Sequence, residues 1–166
     1  MINLLFGAPA ANAFPGDGTM AKLQAQAQWQ GGMEFQIKAG DHTLVTDAPE
    51  IYGGKNHGPK PTHMLLAGLM GCTGMDVASL LRKMHVAVTN IALDSCADVV
   101  DQDPHVFTAI ELDYRFEGPE ELIQSVDKIR KAIHLSKEKL CCVSIMFSHF
   151  CPIHTRVYVN GAEIEL

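Results

Sequence analysis

The sequence predicts an α+β fold with antiparallel sheets. Three observations carry that prediction: period-two stretches separated by glycine turns, one apolar segment of twenty-odd residues without internal proline, and an element order that never repeats a βαβ unit. At 166 residues the chain has the length of one domain, enough to bury roughly two-thirds of the surface its unfolded form exposes.

The first strands lie early. From Leu23 to Trp29 apolar residues alternate with glutamines, and after Gln30-Gly31-Gly32 the alternation resumes through Met33, Phe35 and Ile37. Period two across a Gly-Gly turn reads as a β-hairpin. Gly40-Asp41 separates it from a third strand, His42 to Thr46, and a polar loop rich in glycine follows from Asp47 to Lys60. Such a loop is suited to the wall of a site.

Pro59-Lys60-Pro61-Thr62 then reads as a helix start with Thr62 as the N-cap, and the helix runs from His63 to Met84. Met64, Leu65, Leu66, Leu69, Met70, Met75, Val77, Leu80 and Leu81 surround it, which predicts burial against protein on most sides. Two further strands, Val88 to Val99 and Val106 to Phe116, flank the turn Asp101-Gln102-Asp103-Pro104. A second helix from Gly118-Pro119 to about His134 carries one apolar face. Ser136 is the expected cap of a third helix holding Cys141 and Phe147, and His154 to Asn160 and a short last strand close the chain around Asn160-Gly161.

Composition excludes several function classes. The net charge is −6 and the 13 Lys and Arg residues are scattered, so neither nucleic acid nor an anionic membrane surface is an expected partner. No uninterrupted apolar run reaches the 18 or so residues of a membrane span. Residues 1–20 are small and uncharged before Asp17, with no Lys or Arg ahead of Lys22, and read as a flexible extension rather than an export signal. Residues 21–166 are then the domain. The expected location is cytoplasmic, where five cysteines rest reduced and a disulfide is catalytic or sensing.

Each cysteine has two readings. Cys96, in an alternating strand, reads as core. Cys72 sits mid-helix between Gly71 and Gly74, one turn after Gly68. Interior helix glycines cost about 1 kcal/mol each, which close approach of another backbone or a ligand would offset. A small buried hydrophobe at a helix crossing is the equal alternative. Of the vicinal Cys141 and Cys142 at most one can point at Cys72, because adjacent residues diverge on a helix. Cys151-Pro152-Ile153-His154 with His149 lacks the paired clusters zinc requires, so no metal and no cofactor are expected.

Two segments bring a family into view. The stretch from Gly58 to Val77, with Leu65-Leu66 and Cys72, resembles the cysteine helix of the OsmC/Ohr family. Leu135-Ser136-Lys137-Glu138-Lys139-Leu140-Cys141-Cys142-Val143-Ser144 is similar to that family's second motif, and the likeness runs from about Leu23 to the C-terminus. It implies an OsmC-like intertwined homodimer with antiparallel sheets packed on long central helices. It also implies a thiol peroxidase reducing organic hydroperoxides in oxidative stress defence, with Cys72 peroxidatic, Cys141 resolving and a small thiol as reductant. The peroxidase members carry a Glu where this chain has Thr62, and an Arg near where it has Met33; no Arg precedes Arg82. A thiol without a neighbouring cation is mostly protonated at neutral pH. Asp76, one turn after Cys72, adds negative charge instead. These departures match the family's less characterised branch and favour, as the alternative, a dimeric binding module holding a small apolar ligand.

Overall fold

The computed structural model describes residues 22–166, so the expected extension over residues 1–20 lies outside it. Strands β1 (Ala25–Gly31), β2 (Glu34–Ala39) and β3 (His42–Thr46) form an antiparallel three-stranded sheet in that order. The hairpin turn falls at Gly31 and Gly32, whose φ values of +102° and +57° L side chains rarely adopt. Cross-strand register sets Trp29 opposite Phe35 and Ile37 opposite both Ala27 and Leu44, which gathers the apolar residues on one face. This sheet makes no extended contact with any other described element.

Helix α1 (Pro61–Lys83) leads into the second sheet, built from β4 (Asn90–Val99), β5 (Phe107–Glu117), β6 (Ile153–Val159) and β7 (Ala162–Ile164) in sequence order. Between β5 and β6 lie a 3₁₀ turn at Glu120–Ser125, α2 (Val126–Leu135), a π turn at Ser136–Leu140 and α3 (Cys142–Ser148). This long crossover introduces one parallel pairing into an otherwise antiparallel layout. β5 and β6 pair in parallel, from Ile110 opposite Ile153 to Phe116 opposite Val159. A crossover of this length can return the chain in the same direction while its helices cover the sheet, which a hairpin cannot do.

The core lies between this sheet and the helices. Leu69, Val77 and Leu81 of α1 meet Ile110, Leu112, Tyr114 and Phe116 of β5, Ile129 and Ile133 of α2, and Val157 and Val159 of β6. Only the stripe Leu69, Thr73, Val77, Leu81, spaced by one helical turn, is buried on α1. Burial on most sides is therefore not met within one chain: Leu65 and Met75 are 52% and 71% exposed, and Gly68 and Gly71 face open space. One 18-residue window of α1 has a mean hydropathy of 1.6, so by length and composition alone it could cross a membrane, contrary to the sequence expectation. Its buried stripe belongs to the core of this domain, and core helices pass the same test.

Helix starts also differ from expectation. α1 begins at Pro61, whose fixed φ and missing N–H suit the first helical position, and Lys60 precedes it without a side-chain cap. Thr62 is inside the helix. Ser136 caps nothing; it opens the π turn that ends where the Cys141 N–H reaches the Ser136 carbonyl at 2.9 Å. Cys96 is exposed rather than core, because it shares the outer face of β4 with Asp94 while Leu93 and Ala97 turn inward.

Candidate functional site

The site forms where α1 passes the segment joining α2 to α3. Cys72 and Asp76 lie one turn apart on one face of α1. The π turn and the extended backbone at Cys141 (φ −73°, ψ 99°) swing the second thiol toward them, with Cys141 at the N-cap of α3 rather than inside a helix. The Cys72 Sγ, the Cys141 Sγ and an Asp76 carboxylate oxygen all lie within 4.8 Å of one another. Cys141 is fully buried, Cys72 half-buried, and both are free thiols. Cys142 is exposed and leads away, so Cys141 is the vicinal cysteine that meets Cys72.

A chain of hydroxyls supports this cluster from the core side. Ser136 Oγ donates to Asp76 Oδ2 at 3.2 Å, Thr73 Oγ1 lies 2.8 Å from Ser136 Oγ, and the Tyr114 hydroxyl bonds Thr73. With the carboxylate as terminal acceptor, each hydroxyl donates toward Asp76. All three hydroxyl residues are buried. The sequence reading noticed Asp76 and Ser136 but missed Thr73 and Tyr114. The available signal was a lone polar residue, Thr73, within the buried spacing Leu69, Val77, Leu81.

Electrostatics keep the inner thiol neutral. Burial pushes the Cys141 thiol up to about 12, with the Cys72 thiol and the Asp76 charge adding to it and the Ser144 N–H, 3.3 Å from Sγ, opposing. Two cations of the preceding loop are engaged away from the pair. His57 bonds Glu34 at 2.7 Å, and the Lys60 ammonium sits 6.0 Å over the Tyr52 ring. Cys151 is buried while His149 and His154 are exposed, and among the described residues these three do not assemble as ligands.

The loop from Asp47 to Lys60 is organised around a different acid. The Asp47 carboxylate accepts backbone N–H bonds from Ala48, Lys55 and His57. Burial pushes that carboxyl up, yet the three N–H groups outweigh it and hold it below its usual value. A Cβ at Gly54 would collide with the Ala48 carbonyl, so only glycine lets the loop close on itself.

An apolar cavity of about 780 Å³ opens between the first turns of α1, the start of β5 and α3, lined by Met64, Leu65, Val106, Phe107, Met146 and Phe147 among others; neither thiol is among its lining residues. Gly68, one turn before Cys72, forms part of its wall, and so does Thr62.

Comparison with known proteins decides the family. The model of the family described as OsmC-like protein matches residues 54–156, which contain α1, both thiols and the crossover. The chain belongs to the OsmC-like family. Escherichia coli protein YhfA is 28% identical over 125 residues, covering 75% of this chain and 88% of its own. A hypothetical protein from Aquifex aeolicus superposes with a TM-score of 0.72 at 21% identity, covering 85% of this chain and 98% of its own. An organic hydroperoxide resistance protein OsmC from Legionella pneumophila superposes with a TM-score of 0.61 at 16% identity, over 85% and 99% of the two chains. At such identities the likeness is one of fold. The OsmC-like assignment gives the family and the fold, and leaves the chemistry to be argued from the site.

Proposed function

We propose that this OsmC-like protein is a thiol-dependent peroxidase that reduces organic hydroperoxides through Cys72 and Cys141. The observation that carries this reading is the approach of the two free sulfurs to within 4.8 Å of each other, on the helix whose Gly68, one turn earlier, lines an apolar cavity. Cys72, the more accessible thiol, is the nucleophile. Its sulfur attacks the terminal peroxide oxygen, the O–O bond breaks, the alcohol leaves with a proton, and Cys72 becomes a sulfenic acid. The Cys141 sulfur displaces hydroxide from that acid, giving a disulfide and water. A small thiol then restores both cysteines by exchange. The reducing interior of a cell suits this cycle.

The active unit in this reading is a homodimer. Support comes from the uncovered apolar face of the three-stranded sheet and from the exposed Leu65, Met75, Gly68 and Gly71 on α1, surfaces a second copy would cover.

One equivalent of cumene hydroperoxide followed by peptide mapping should yield a Cys72 to Cys141 crosslink with loss of two thiols. Recovery of both thiols free would overturn the reading. The 780 Å³ apolar cavity, together with the engagement of His57 and Lys60 away from the thiols, favours a second one: a dimeric module that binds a small apolar ligand with little turnover. Native mass spectrometry of protein from its own cells should then show a copurified apolar molecule, and a clean apo dimer would count against it.

A further inference from the structure

We propose that Cys72 Sγ, Cys141 Sγ and the Asp76 carboxylate form a binding site for a thiophilic divalent cation of the zinc class. The donor set is what such an ion takes: two sulfurs and a carboxylate oxygen, from two segments that the tertiary fold brings together. Zinc holds thiolate sulfur at about 2.3 Å and carboxylate oxygen at about 2.0–2.2 Å, so tetrahedral donors stand about 3.5–4 Å apart. The three atoms already lie within 4.8 Å of one another, which leaves about an ångström of side-chain adjustment at most.

A second line of observation concerns what surrounds the donors. Asp76 Oδ2 is held by the Ser136 hydroxyl, which is in turn bonded to Thr73, itself bonded to Tyr114, and Cys141 Sγ receives the Ser144 N–H. Orienting hydrogen bonds of this kind are the usual companions of metal ligands. Charge points the same way. Cys141 is wholly buried beside an acid, and among the described residues Asp76 has the Ser136 hydroxyl as its partner and no Lys, Arg or His. A dication would supply the positive charge that the polypeptide does not bring to this place. Three protein donors leave one tetrahedral position, and half-buried Cys72 lies on the accessible side of the cluster.

Binding displaces one proton from each thiol to solvent and changes no oxidation state. The site shares its sulfurs with the peroxidase reading but does not rest on it. A bound ion masks both thiols from hydroperoxide, and a disulfide between them removes two of the three ligands.

The test uses the full chain, reduced, stripped with a chelator, desalted and titrated with cobalt(II) alone in the absence of peroxide. One equivalent per chain should produce sulfur-to-cobalt charge-transfer absorption in the near ultraviolet, bleached by stoichiometric zinc(II). Cys72→Ser and Cys141→Ser should lose that absorption, Asp76→Asn should weaken binding roughly tenfold or more, and Cys142→Ser should leave it unchanged. Absence of the band in the unaltered protein overturns the site outright, with no variant needed. Unchanged affinity in Asp76→Asn overturns the three-ligand assignment. Because no peroxide is present, a protein that binds cobalt yet forms no disulfide with cumene hydroperoxide sinks only the peroxidase reading, and the reverse result sinks only this one.

Discussion

In the four-stranded sheet, β5 turns Ile110, Leu112, Tyr114 and Phe116 inward beneath α1 and α2, and each of these side chains is at most 3% exposed. In the three-stranded sheet, Trp29, Phe35 and Leu44 gather on one face in the same alternating fashion, yet stay 62%, 40% and 44% exposed. Both sheets obey the same period-two rule. The difference is that the first receives its cover from this chain, through the crossover between β5 and β6, while the second receives none from the described residues. An alternating strand thus declares which face is to be covered and says nothing about what covers it.

The largest expected effect tests the covered sheet. Phe116→Ala should lower the unfolding free energy by about 3–5 kcal/mol in denaturant melts, because a ring that is 1% exposed leaves a cavity its neighbours cannot fill. A loss below about 1 kcal/mol would mean that this face is loosely packed.

A smaller effect reads the same core through pH. Burial pushes the Tyr114 hydroxyl up to about 12, partly opposed by its bond to Thr73. A phenol whose folded value exceeds its unfolded value of about 10 contributes stability that is complete below pH 10 and drains away as pH climbs toward 12. The loss is at most roughly 1.4 kcal/mol per pH unit in that window. Tyr114→Phe should flatten this decline while leaving a smaller, pH-independent cost for the bond lost at Thr73.

The smallest effect on the chain's own stability belongs to the uncovered sheet. Replacing Trp29 and Phe35 together by Ser should change the unfolding free energy of one chain by about 1 kcal/mol or less, since neither side chain is buried in it. In the homodimer proposed above, the parent should sediment as a dimer and the same double variant as a monomer. Should it remain dimeric, the sheet face is not where two copies meet, and the contrast between the sheets would need another cause.

Much of this architecture was legible because it is local. Hairpin turns at Gly31-Gly32 and Asn160-Gly161, the long α1 and the amphipathic α2 follow from turn chemistry and periodicity within a few residues of each other. The predicted caps at Thr62 and Ser136 went astray because a polar side chain near a helix start is only a candidate. Pro61 already supplies the first helical residue, and Ser136 spends its hydroxyl on Asp76 and Thr73. Cys96 was misplaced because an alternating strand leaves open which of its two faces is inner.

By itself the sequence determined the α+β class, the order of elements and the two cysteine-bearing segments, since each depends on residues close in the chain. Only the tertiary structure decided that β5 and β6 run parallel, that Cys141 rather than Cys142 meets Cys72, and that Asp76 joins them at the end of a buried hydroxyl chain. Those facts depend on segments some forty to seventy residues apart, and their meeting is set by how the crossover packs on α1, a three-dimensional balance of burial and hydrogen bonding that no local pattern encodes.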